Sequence, residues 1–122
     1  MKLEYYLHDF WVNYQNQHEY NPIHNHGGMY SFAGWLKIPT DFDEQAQHYT
    51  AKDANRSTNS AFSFEYTDIF GEIRTYLYQL KPSWQGTLLF FPSKLRHAVY
   101  PYYNCDEQRI SISGNISLRP KK

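Results

Sequence analysis

The chain has 122 residues, with twelve Lys and Arg against twelve Asp and Glu for a net charge of zero at pH 7, so it suits one domain over residues 1–122 and gives no electrostatic reason to bind nucleic acid or an anionic membrane. A single cysteine, Cys105, excludes an intrachain disulfide and fits a reducing compartment. No apolar stretch approaches the roughly 18 residues of a membrane span, and a start that carries Glu4, His8 and Asp9 among its apolar residues is not a signal peptide, so a cytoplasmic location is expected.

Lys2 to Tyr14 mixes Tyr5, Tyr6, Leu7, Phe10, Trp11 and Val12 with few turn formers, which favours a strand over a short helix. Gln15 to Pro22 is a polar loop, and its His18, without a partner at two-residue spacing, reads as solvated. Asn21 to Gly28, NPIHNHGG, then sets His24 and His26 two residues apart, a spacing that on a strand puts both imidazoles on one face. Gly27-Gly28 permits a tight turn into a long strand from Met29 to Ile38, closed by Pro39, with Trp35 and Lys37 on one face. Thr40 to Ser60, which includes His48, is the longest polar stretch and shows no apolar periodicity; loops of that length are functional or mobile. Phe62, Phe64 and Tyr66 alternate with Ser63 and Glu65, Gly71 marks a turn, and Ile73 to Leu80 alternates again, giving a hairpin that Pro82 to Gly86 links onward.

The segment from Gly86 to Ser113 carries most of the chemistry. Leu88 to Phe91 reads as a buried strand between Gly86 and Pro92, and a second apolar stretch, Ala98 to Tyr100, opens just after His97. After a turn over Pro101 and Asn104 to Gln108, Arg109-Ile110-Ser111-Ile112-Ser113 alternates as a half-buried strand, with Arg109, Ser111 and Ser113 on one side. A hairpin centred near Tyr103 would place His97 and Arg109 opposite each other, about 5 Å apart at their β-carbons. Ile116 to Leu118 continues the last strand, and Arg119 to Lys122 is a solvated basic tail. Seven or eight short strands separated by turns point to an all-β, antiparallel jelly roll. His97 brought beside His24 and His26 would supply the two-plus-one arrangement a metal needs; the plain alternative is a hydrogen-bonded histidine pair and a solvent-facing strand.

The order His24-x-His26, strand Phe32 to Ile38, Gly86 with an apolar run into Pro92, His97-x-Val99-x-Pro101, then Arg109-x-Ser111 resembles the iron(II)- and 2-oxoglutarate-dependent oxygenases, in particular the prolyl-hydroxylase-like branch of phages and bacteria. The resemblance runs from about Asn21 to Leu118, and FFPSKLRHAVYP with the following RISIS is its specific part. It implies a double-stranded β-helix, cupin-like in shape, with Fe(II) and 2-oxoglutarate as cofactors. It makes His24 and His97 iron ligands, and Arg109 with Ser111 the partners of the distal carboxylate of 2-oxoglutarate. A guanidinium suits that carboxylate because it can give two parallel hydrogen bonds. In such proteins an insertion like Thr40 to Ser60 flanks the site mouth, so a lid is expected.

The sequence departs from the superfamily at one ligand. Where a carboxylate normally follows two residues after the first histidine, this chain has His26. Three histidines, His24, His26 and His97, are the favoured metal set, because that branch often carries His-x-His; the alternatives are an acid from elsewhere, among Asp41, Asp43, Glu65 and Glu72, or metal binding without retained oxidation. The expected function is a dioxygenase that hydroxylates an unknown small-molecule or protein substrate, with a homodimer left open and the host cytoplasm as its place were the gene carried by a phage. The competing reading is a cupin-like metal or small-molecule binding module, or a phage structural protein. Arg109 with Ser111 separates the two, since a plain metal barrel has no need of an arginine facing its histidines.

Overall fold

Large apolar side chains alternating with small polar ones give strands that bury one face, and eight such strands form two four-stranded sheets in a computed structural model that describes all 122 residues. The first sheet has the order β1 (Leu3–Gln15), β8 (Arg109–Pro120), β3 (Tyr30–Lys37), β6 (Leu88–Pro92). The second has the order β2 (Asn21–His24), β7 (Arg96–Val99), β4 (Phe62–Thr67), β5 (Ile73–Tyr78). Every pairing is antiparallel, and apart from the β4–β5 hairpin each successive strand crosses to the other sheet. That alternation is the double-stranded β-helix expected from the sequence. No helix is long and apolar enough to cross a membrane.

The core lies between the sheets toward β4 and β6, where Trp35, Ile38, Phe62, Phe64, Leu80 and Phe91 pack together. Phe64 meets Phe91 at 4.8 Å and Phe62 at 5.2 Å between ring centroids, both edge to face, an arrangement that adds about 0.5–1.5 kcal/mol per pair beyond area burial. Away from this plug the sheets enclose an open cavity.

Three expectations are corrected. His97 and Arg109 do not sit on one hairpin: β7 pairs with β2 and β4, whereas β8 pairs with β1 and β3 in the opposite sheet. The turn from Tyr100 to Gln108 therefore carries the chain across the barrel. Trp35 and Lys37 do not share a face, because the register shifts between them. Trp35 lies opposite Ser111 and is buried, while Lys37 lies opposite Ile110 and reaches Glu107 at 3.1 Å. Thr40 to Ser60 is not simply a polar loop. It holds a one-turn helix, α1 (Phe42–Gln45), capped by the Asp41 side chain, which accepts from the backbone N–H of Asp43 and Glu44. Gln45 is buried and bonds the Tyr103 backbone both ways, its amide donating to the carbonyl at 2.7 Å and its Oε1 accepting from the N–H at 2.8 Å. Asn59 donates to the Gln45 carbonyl and to Thr50 Oγ1, tying the two ends of the segment together.

Candidate metal centre

The antiparallel pairing of β2 with β7 sets His24 directly opposite His97. Their ring centroids are 4.2 Å apart. His26 lies two residues past the end of β2, where its backbone N–H donates to the Ser93 carbonyl at 2.9 Å and turns its ring back toward the pair. One ring nitrogen from each of the three histidines falls within 4.8 Å of the others, a cluster able to hold a metal ion. His18 is exposed and lies outside this cluster.

Backbone carbonyls settle the tautomers. His24 Nδ1 is 2.6 Å from the Pro22 carbonyl, and His97 Nδ1 is 3.0 Å from that of Leu95. A carbonyl oxygen only accepts, so both Nδ1 atoms carry a proton, and in the neutral ring the lone pair then sits on Nε2. Holding a ligand imidazole by its far nitrogen is the usual device for aiming the near one at a metal. His26 Nε2 lies 3.1 Å from His97 Nε2, so the bare His97 nitrogen needs either the His26 proton or a shared cation there. Burial pushes the His97 imidazole down to about 4, against a smaller opposing effect of the Leu95 carbonyl. Burial, and then the neighbouring His24, also push His26 below its ordinary range, with Asp9 opposing. At neutral pH both are neutral donors, the form metal binding requires. A set of imidazoles fits iron and other borderline cations.

The cavity that the histidines border, about 390 Å³, is also lined by Arg109, Ser111 and Ser113 from β8 in the facing sheet. Arg109 is 1% exposed. Its Nη2 donates to the Ser60 carbonyl at 2.7 Å, its Nη1 donates to Gln15 Oε1 at 3.3 Å, and its Nε has no partner. The Tyr102 ring lies 5.3 Å from the guanidinium carbon. Burial pushes the guanidinium down to about 10, still charged at neutral pH. No carboxylate of the chain offsets that charge: the acids that pair with basic side chains do so elsewhere.

The four acids weighed as substitute ligands all lie outside the cluster. Asp41 caps α1, Asp43 pairs with Lys81, Glu65 with Arg96, and Glu72 with Arg74. Three further residues shape the site without a clear sequence signal. Ser60 takes a left-handed backbone (φ 63°), uncommon for a residue with a β-carbon, and its carbonyl holds Arg109. Gln15 ends β1, and Tyr102, fully buried, bonds the Gln15 and Glu107 carbonyls through its hydroxyl. Glu19 and Tyr20, both exposed, line the cavity at its mouth.

Fold and site define a jelly-roll protein with a three-histidine cluster able to hold a metal. The family described as "Putative 2OG-Fe(II) oxygenase" matches residues 9–115, which include all three histidines, Arg109 and Ser111. The chain belongs to that family, and the family implies Fe(II) and 2-oxoglutarate. No curated protein matches the sequence significantly.

Proposed function

We propose that the protein is an iron(II)- and 2-oxoglutarate-dependent dioxygenase that hydroxylates a C–H bond of a small-molecule or protein substrate in the cytoplasm. The observation that carries this reading is Arg109, a buried cation with neutral partners only, in the cavity that the histidine cluster borders. A buried charge without a counter-ion is costly, and a dicarboxylate ligand would supply one.

His24, His26 and His97 would hold the iron, the first and last through Nε2. Arg109 would hold the distal carboxylate of 2-oxoglutarate, with Ser111 adding a hydroxyl beside it. When bound together, iron(II) and 2-oxoglutarate supply oxygen activation, coupling decarboxylation of the keto acid to succinate with oxidation of the substrate. The chain's own part is positioning. Ser60 and Gln15 leave the guanidinium Nε free, Trp35 and Phe62 wall one side of the cavity against water, and Glu19 and Tyr20 frame the way in. Incubation with iron(II), ascorbate and 2-oxoglutarate should form succinate slowly even without substrate; no succinate, together with no binding of 2-oxoglutarate, would defeat the proposal.

A further inference from the structure

The outward side of the β1-β8-β3-β6 sheet is apolar from edge to edge. On β1 the outward positions are Leu3, Tyr5, Leu7, Phe10, Val12 and Tyr14. Their parity switches at His8, where a register shift between Leu7 and Asp9 keeps both halves of the strand facing out. Paired residues share a face, so each outward residue extends into a row. Phe10 lies beside Gly114, then Phe32, then Phe90; Val12 beside Ile112, then Gly34, then Leu88. Leu7, Ile116, Tyr30 and Pro92 make a third row, and no charged side chain interrupts any of them.

The side chains of this face also pack on one another. The Phe32 ring lies over Gly114 so closely that a β-carbon there would collide with its Cζ, and Leu88 closes over Gly34 in the same way, 2.9 Å from where a β-carbon would stand. Tyr30 stacks on Phe90 with centroids 5.0 Å apart and 24° between planes.

Tyr5, Leu7, Phe10, Leu88 and Phe90 are each 54–59% exposed. An aromatic side chain carries ~150–250 Å², so each exposed aromatic of this face offers roughly 100 Å². With the aliphatic residues between them the face reaches the order of 800 Å². Monomers rarely leave an apolar patch beyond about 300–600 Å², whereas a stable association needs about 800 Å² per partner. An apolar surface with no charge along its rows is matched by another of its kind, and the chain itself presents one. The charges beside these rows are paired within the chain, Glu4 with Arg119 at 3.0 Å and Lys37 with Glu107 at 3.1 Å, while the exposed Lys2, Lys121 and Lys122 lie beyond Leu3 and Pro120 at one end of the sheet. Two copies can therefore meet over the three rows without stranding a charge, and the area available matches what a stable pair needs.

We propose that this face is a dimer interface: two copies of the chain stack their β1-β8-β3-β6 sheets outer face to outer face about a twofold axis. Aligned sheet packing at about 10 Å accommodates such a pairing, and an isologous contact closes at two. The cavity, on the inner side of the same sheet, stays open. Because β8 presents Ile112 outward and Arg109 and Ser111 inward, the contact backs the strand that carries the arginine.

Sedimentation equilibrium of the full chain at micromolar concentration should give twice the 14.6 kDa chain mass. Phe10→Glu and Leu88→Lys, on strands at opposite edges, should each raise the dissociation constant about 30-fold or more, as loss of a central anchor of at least ~2 kcal/mol does. Cobalt(II) binding at the histidines and the near-ultraviolet circular dichroism of each variant should match the unmodified chain, which separates dissociation from misfolding. A monomeric unmodified chain would overturn the proposal, whether or not it sediments with phosphatidylcholine vesicles. So would open-ended aggregates, or a dimer that persists in both well-folded variants.

Discussion

Replacing Arg109 with Met removes the buried cation while keeping most of its volume, and the structure sets the expected magnitude. The fall of the guanidinium to about 10 on burial corresponds to roughly 3 kcal/mol of unfavourable environment for its charged form. Against this stand two hydrogen bonds from a charged donor, to the Ser60 carbonyl and to Gln15, worth ~1.5–3 kcal/mol each. The terms nearly cancel, so without ligand Arg109→Met should shift the free energy of unfolding by no more than about 2 kcal/mol, less than the ~3–5 kcal/mol of breaking a buried ion pair. Ligand linkage should behave quite differently. At a hundredfold excess over its dissociation constant, 2-oxoglutarate should stabilise the unmodified iron-loaded protein by about 2.7 kcal/mol and leave Arg109→Met unchanged. Arg109→Lys, which keeps the charge without the fork, should bind iron normally yet need far more 2-oxoglutarate. The assay is urea denaturation with and without 2-oxoglutarate. Destabilisation of 3–5 kcal/mol in the ligand-free variant would reveal a counter-charge that this reasoning lacks, and equal stabilisation of all three proteins by 2-oxoglutarate would remove Arg109 from its site.

The third histidine is open to a direct exchange. His26→Ala should weaken iron(II) or cobalt(II) binding by more than the roughly 10–100-fold typical of losing an outer hydrogen bond, and His26→Asp should recover it; affinity for His26→Ala equal to that of the unmodified chain, by metal titration, would exclude His26 as a ligand. Acid should loosen the metal-free protein early. With His97 at about 4 when folded and near 6.5 when unfolded, the unfolded chain takes up the proton first, so stability present above pH 6.5 is lost as pH falls toward 4. From pH 6.5 to 5 this amounts to about 1.5 kcal/mol, with His26 adding in the same direction. Urea midpoints in the presence of a chelator measure it, and a His97→Leu variant with the same pH slope would refute the assignment.

Much of this protein is legible along the chain. Alternation locates the strands and assigns their faces, because side chains on an extended backbone repeat every two residues. The register shifts at Leu7/Asp9 and Trp35/Lys37 are not legible, and the second puts Trp35 and Lys37 on opposite faces where alternation puts them on one. The three histidines, Arg109 and Ser111 stand out by residue type and order. Alternation nevertheless says which way a side chain points and not which strand lies beside it. A local hairpin for His97 and Arg109 and a crossing of the barrel satisfy the same pattern, and only the choice of long-range partners, β2 and β4 for β7, β1 and β3 for β8, separates them. The same holds for the groups around the arginine. Ser60, Gln15 and Tyr102 come from a left-handed turn, a strand end and a crossing loop, and nothing local marks them as neighbours. Local sequence sets torsions and faces through sterics and hydration; tertiary packing alone decides which distant faces are buried together, and with them which charge is left without a partner.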